Sequence, residues 1–158
     1  MAGPSLRAIS LLEKRRLLAV LSLAALVVFL VWPTASLQCP LWEVWVVDQS
    51  GQAIQGMTVR LTYQNYSAES ESHSDDLRTD ANGYVLFPPQ RLRASRVQRA
   101  YVMARSAMQG VHASFGPHAW VWALGKGLEG YAVTDGHITD WTGTPPRMAS
   151  KVVVKPRS

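Results

Sequence analysis

The sequence predicts a mainly β protein, an antiparallel β-sandwich with one inserted helix, preceded by a single transmembrane helix. Three observations carry this. Leu17–Trp32 is a sixteen-residue run in which only Ser22 is polar, and it sits directly behind Lys14, Arg15 and Arg16. Beyond it come short runs of β-branched and aromatic residues, broken by Gly, Pro and Asp turns, without the strand–helix alternation of a parallel sheet. One stretch near residue 100 instead holds helix formers.

The first element follows from charge and hydropathy. No charged residue occurs from Leu17 through Trp42. Sixteen helical residues reach roughly 24 Å, a little short of a hydrocarbon core of about 30 Å. Snorkelling Arg15 and Arg16 close the gap at one end, and continuation through Pro33 to Leu37 closes it at the other. Trp32 falls where an interfacial aromatic sits, and the positive-inside bias places residues 1–16 in the cytoplasm. The expected organisation is a basic stub (1–16), a transmembrane signal-anchor (17–37) and an extracytoplasmic domain (38–158). A secretory signal cut after Ser36, behind Thr34-Ala35-Ser36, and a lipoprotein modified on Cys39 are the alternatives.

The chain has 158 residues, is 47% hydrophobic and 17% charged, and carries a net charge of +5. Such a composition excludes a disordered chain. A single cysteine excludes a disulfide scaffold and a zinc site built on several thiolates. Cys39, alone in an oxidising compartment, is left to an intermolecular bridge, to lipidation, or to an unpaired, partly buried state. Much of the positive surplus lies before the apolar run, so the basic balance reflects topology more than nucleic-acid binding.

The strands are read from period-two alternation. Leu41–Val47 places Trp42, Val44 and Val46 on one face and Glu43 and Trp45 on the other. Met57–Tyr63 turns Met57, Val59, Leu61 and Tyr63 inward. Ser67–Asp76 reads as a polar, acidic loop. Gly83–Phe87 is the next strand, stopped by Pro88-Pro89. Between 91 and 110, Ser95 is a fitting N-cap and Gly110 a fitting C′ residue. Val97, Tyr101, Ala104 and Met108 share a helical face there, with Arg96, Arg99 and Arg105 toward water. Ala119–Leu124, Tyr131–Val133 and Lys151–Val154 complete the apolar runs.

Two turn motifs stand out: Val46-Val47-Asp48, Gly51, Ile54, Gly56, Val59 and Leu61, followed by Thr79, Asp80, Gly83, Tyr84 and Phe87. Residues 41–90 thereby resemble the carboxypeptidase regulatory-like domain, a transthyretin-like or prealbumin-like sandwich of Ig-like architecture. The resemblance implies that Asp48, Gly51, Gly56, Thr79, Asp80 and Gly83 are structural, setting turns. It implies a non-catalytic module of exported proteins. A catalytic relative, the transthyretin-like hydrolase of 5-hydroxyisourate, ends in Tyr-Arg-Gly-Ser. Here the sequence reads Val-Lys-Pro-Arg-Ser, so no catalytic residue carries over.

The remaining constellations are weak. His73, His112, His118 and His137 show no i, i+4 metal spacing, and the acidic residues around His73 lack the EF-hand frame. No G-x-S-x-G elbow or phosphate loop occurs. Asn65-Tyr66-Ser67 is a glycosylation sequon, and Trp120, Trp122 and Trp141 are a candidate sugar platform. No Asp or Glu occurs from Ala81 to Leu128, where Arg91, Arg93, Arg96, Arg99 and Arg105 fall. These five arginines are the candidate interaction patch for an anionic surface.

The expected function is that of a non-catalytic, membrane-anchored extracytoplasmic sandwich with a structural or protein-interaction role in the cell envelope. The alternative is a carbohydrate- or anionic-lipid-binding module of a secreted protein. Neither cofactor nor metal is expected. The expected partners are the membrane, through residues 17–37, and an envelope protein or glycan, with no nucleic acid. The localisation expected is single-pass membrane, N-terminus cytoplasmic, with the domain periplasmic or extracellular.

Overall fold

The computed structural model describes residues 6–157. Residues 1–5 of the expected basic stub, and Ser158, lie outside the described residues. Helix α1 (Leu6–Val31) leads into β1 (Thr34–Cys39), β2 (Leu41–Val47), β3 (Thr58–Asn65), β4 (His73–Arg78), β5 (Tyr84–Phe87) and β6 (Gln90–Ala94). Helix α2 (Arg96–Ala107) and a 3-10 turn (Gly110–His112) precede β7 (Pro117–Gly125) and β8 (Leu128–Tyr131). Four further strands follow: β9 (Val133–Thr134), β10 (His137–Ile138), β11 (Arg147–Val153) and β12 (Lys155–Pro156). The protein is mainly β with two α-helices, in agreement with the sequence reading.

Two open sheets enclose one core. One has the order β11-β2-β5, the other β12-β8-β7-β3-β4. Trp42, Val44 and Val46 of β2, and Phe87 of β5, meet Val59 and Leu61 of β3 and Val121 of β7 in a single buried cluster. The alternation read from β2 and β3 is thus the alternation observed. Cross-strand register keeps it, since Leu61 stands opposite Val121 and Val59 opposite Ala123. Each such large apolar side chain contributes about 1.5–3 kcal/mol on burial, enough to fix the register of β3 against a one-residue slip.

Three sequence expectations are corrected, and one strand left unassigned in the sequence is added. The sandwich is not wholly antiparallel, because β11 runs parallel to β2 from Arg147↔Leu41 to Val153↔Val47. The long chain between them supplies the crossover that parallel pairing requires. The acidic loop expected over Ser67–Asp76 becomes β4 from His73, paired with β3. Its exposed, charged side chains suit a sheet edge. The run Tyr131–Val133 is split, with Tyr131 ending β8 and Val133 opening the β9–β10 hairpin. Finally, Gln90–Ala94 is a strand, β6, that pairs with β1.

The N-terminal segment also departs from expectation. Helix α1 stops at Val31, so the continuation to Leu37 is not made. Pro33 lacks the N–H that would extend the helix, and Thr34–Cys39 pairs instead as β1. Among the described residues no helix is long and apolar enough to cross a membrane. The apolar part of α1 is the stretch from Leu17 to Val31, bounded behind by Lys14, Arg15 and Arg16, and its large side chains are exposed on every face of the helix.

Candidate functional site

The cationic residues singled out from sequence meet the rest of the chain where α1, β1 and α2 join. Ser95 caps α2, its hydroxyl accepting from the Gln98 N–H at 3.1 Å. That cap fixes the first turn, and with it Arg96 and Arg99. Arg96 Nη1 donates to the Phe29 carbonyl at 2.8 Å, and its guanidinium lies 3.8 Å from the centroid of the Phe29 ring. The last carbonyls of a helix have no intrahelical partner and attract a cation; Arg96 serves α1 in this way. Arg99 Nη2 donates to the Thr34 carbonyl and to the Ser36 hydroxyl, both at 3.1 Å.

Helix α2 therefore docks through its polar side. Gln98 Nε2 donates to the Ala68 carbonyl at 3.1 Å and the Ser106 hydroxyl to the Tyr66 carbonyl at 3.2 Å. Val97, Tyr101, Ala104 and Met108 do share a face, as the spacing predicts, but it points outward, and no residue of α2 is buried. Arg96 and Arg99, expected toward water, are the half-buried ones. Periodicity locates a stripe; the hydrogen bonds of the opposite stripe decide which way it turns. The helix is capped by Met108, with Gly110 in the 3-10 turn beyond rather than at C′.

The five arginines do not make one surface. Arg91 and Arg93 stand on β6 opposite Leu37 and Ala35, exposed, and Arg105 is exposed on the flank of α2. Between α2 and the turn at 65–70 lies a cavity of about 150 Å³, lined by Gln64, Tyr66, Glu69, Tyr101, Val102 and Arg105. Glu69 organises its floor. Its Oε1 accepts the Asn65 N–H at 2.9 Å and the Gln38 side-chain amide, and its Oε2 lies 2.8 Å from His73 Nε2. Sequence reading placed Glu69 only among loop acids, because its partners lie on three separate elements.

The six motif residues have mechanical tasks. Asp48 Oδ1 accepts from the Ser50 N–H, the Ser50 hydroxyl and the Gln52 N–H at 2.8, 2.6 and 2.9 Å. These bonds, the Ser50 hydroxyl foremost, hold its carboxyl below the usual range. Asp80 repeats the device, accepting from Asn82 and Tyr84 N–H at 2.8 and 2.9 Å. The Thr79 hydroxyl accepts from the Met57 N–H at 2.9 Å and donates to the Ile54 carbonyl at 2.7 Å. Gly51 closes its turn through an N–H bond to the Asp48 carbonyl, and the Gly56 N–H reaches across to the Thr79 carbonyl. Gly83, at φ +70°, passes so near Val46 that a Cβ would lie 2.5 Å from its carbonyl oxygen.

Other sequence candidates are dispersed. Asp75 accepts from the Tyr63 hydroxyl at 3.2 Å, while Asp76 binds Arg60. No group of His, Cys, Asp or Glu among the described residues has metal-holding geometry. His118 Nδ1 lies 2.7 Å from Asp140 Oδ2, with Tyr66 edge-on to its ring; His112 is in the 3-10 turn. Trp141 is in the core, its Nε1 donating to the Pro145 carbonyl at 2.6 Å, apart from the half-exposed Trp120 and Trp122. Asn65 of the sequon is buried, its side-chain oxygen accepting the Ser67 N–H. Cys39 is fully buried beside the Pro40 carbonyl, and burial, with Asp75 adding, pushes its thiol up to about 12.

No family model matches the chain, and no curated protein sequence matches it. Among solved structures it is similar to 3-chlorocatechol 1,2-dioxygenase from Rhodococcus opacus 1CP, at 14% identity and a TM-score of 0.45, over 76% of this chain and 61% of that one. The chain thus spans about 61% of the length of that enzyme. At this level the likeness carries no argument about activity.

Proposed function

We propose that the protein is a non-catalytic, membrane-anchored β-sandwich of the carboxypeptidase regulatory-like kind, held outside the cytoplasm, with a structural or protein-interaction role in the cell envelope. The observation that carries the reading is that the leader is built into the domain. Arg96 and Arg99 bind the Phe29 and Thr34 carbonyls, and Thr34, Ala35 and Ser36 pair with Ala94, Arg93 and Leu92. A cut after Ser36 would remove half of β1 and both arginine contacts, so the retained anchor is favoured over a cleaved signal.

The surface of α1 supports the same reading. Leu17–Val31 exposes apolar side chains on all faces, which water disfavours by roughly 25 cal/mol per Å². Fifteen helical residues span about 22 Å. Arg15 and Arg16, reaching outward, and a locally thinned bilayer accommodate the difference from a core of about 30 Å. The positive-inside rule orients Lys14–Arg16 to the cytoplasm. The motif turns at Asp48, Thr79, Asp80 and Gly83 support the family reading, because each performs a structural task at the place the resemblance assigns it.

The test is alkaline carbonate extraction of membranes from cells making the chain with tags at both ends, followed by intact-mass analysis and in-cell crosslinking. The proposal expects a full-length product retained with the membrane and a discrete crosslinked envelope protein. A soluble product starting near Leu37 would overturn the anchor, and a chain that crosslinks to nothing across growth conditions would overturn the interaction role.

A further inference from the structure

We propose that the outward face of α2 lies on the bilayer surface that α1 enters, as an interfacial helix with a preference for anionic lipid. This rests on the membrane-anchor reading and adds a second contact to it. The face consists of Val97, Ala100, Tyr101, Ala104, Ala107 and Met108, none of them charged. Val97 is 51% exposed, Tyr101 67% and Met108 87%, and Val111 in the 3-10 turn beyond is 97% exposed. A helix that hydrogen-bonds its domain through Gln98, Arg99 and Ser106 and presents its apolar stripe outward reverses the usual arrangement of a surface helix. The arrangement fits a helix whose outward medium is itself apolar at its surface.

Two further observations select lipid as the occupant. The first is position. Arg96, at the start of α2, bonds the Phe29 carbonyl, and Arg99 bonds that of Thr34, so the first turn of α2 brackets the end of α1 at Val31. With α1 inserted, that end, with Trp32 exposed beside it, marks the outer interface, and α2 begins there. From that point α2 runs across the 65–70 turn, placing its stripe on the side away from the sheets. The second observation is charge. Ala81–Leu128 contains no acidic residue, and Arg105 is exposed on the flank of the stripe. Cations flanking an apolar face are what an anionic headgroup layer attracts, and salt screens that attraction.

The test uses the full chain with one introduced cysteine per variant, Met108→Cys, Val111→Cys, Leu23→Cys or Ser50→Cys. Native Cys39 is fully buried and leaves the labelling to the new site. Each variant carries an environment-sensitive fluorophore and is reconstituted in vesicles of phosphatidylcholine, with or without phosphatidylglycerol, containing nitroxide lipids at headgroup or deep acyl positions. The expected result is deep quenching at 23, shallow quenching at 108 and 111, and none at 50. Quenching at 108 falls about twofold when anionic lipid is omitted or salt is raised. Deep quenching at 23 with none at 108 and 111 would overturn the inference alone and leave the anchor standing. No quenching at 23 would overturn the anchor and this inference with it. Energy transfer between labelled copies at 108, without lipid quenching, would assign the face to a second copy instead. Equal quenching at 108 with and without anionic lipid would overturn the charge preference.

Discussion

The guanidinium of Arg60 stands over the ring of Trp122, 5.8 Å from its centroid, while its Nε and Nη2 each donate to Asp76 at 2.7 Å. Trp122 in turn stacks on Tyr131 at 5.8 Å and 9°. Asp76, Arg60, Trp122 and Tyr131 are register partners on β4, β3, β7 and β8. One row of side chains thus ties four strands together across the outer face of the larger sheet.

This row predicts a pH dependence. The Asp76 carboxyl is held below its ordinary value, first by the hydrogen bond from Arg60 and also by its charge. A depressed folded-state value contributes stability above the unfolded value of about 3.9, and the contribution disappears as pH falls through the folded value. Arg60→Gln is expected to return Asp76 to the usual carboxylate range and to flatten that part of the acid limb, read by carboxyl titration in NMR. An Asp76 titration unchanged in the variant would contradict the pairing.

The alkaline side behaves oppositely. Burial raises Cys39 and Tyr63 each to about 12, with Asp75 adding in both cases. Raised values contribute stability that is complete below the unfolded values and is lost as pH rises through the folded ones. Stability is expected to decline from about pH 9 toward 12, less steeply in Cys39→Ala. The native thiol is expected to resist maleimide at neutral pH and to react on unfolding. Prompt labelling of the folded chain would refute the burial.

Thr79→Val removes a hydroxyl that accepts from the Met57 N–H and donates to the Ile54 carbonyl, at a residue 4% exposed. Leaving a buried N–H unpaired costs about 1–3 kcal/mol. The expected result is a lower urea midpoint with unchanged m-value. A midpoint equal to the parent's would show that the bridge contributes nothing.

Gly83→Ala meets two penalties, a left-handed φ of +70° and a Cβ 2.5 Å from the Val46 carbonyl oxygen. The left-handed conformation alone costs about 1–2 kcal/mol for a side chain, and the backbone clash adds to it. Thermal unfolding is expected to shift down by more than for Gly51→Ala, where a Cβ meets open space. Equal shifts would place the strain elsewhere.

The legible parts of the fold were those where burial imposes a period. Met57, Val59, Leu61 and Tyr63 alternate because one face of β3 is core, and Trp42, Val44 and Val46 do so on β2. Strand β4 was illegible because an edge strand needs only a neighbour's backbone, and His73–Arg78 carries solvated side chains. In α2 the cap at Ser95 was readable, but the helix's orientation depends on partners 30 to 65 residues away. The role of Phe29 is not legible in the sequence because it binds Arg96 through a backbone carbonyl and a ring face, which leave no pattern there. The turns at Asp48 and Asp80 are legible because an Asp side chain bonds the backbone N–H groups just after it, a local and residue-specific pattern.

In the proposed arrangement α1 holds the sandwich at a membrane, outside the cytoplasm. The most direct measurement is labelling of the full-chain Ser50→Cys variant in intact cells with a membrane-impermeant maleimide, with fractionation of the labelled product. The introduced thiol is expected to react before lysis, and the labelled chain to sediment with membranes at full length. Labelling only after lysis, on a chain that stays in the supernatant without detergent, would contradict it.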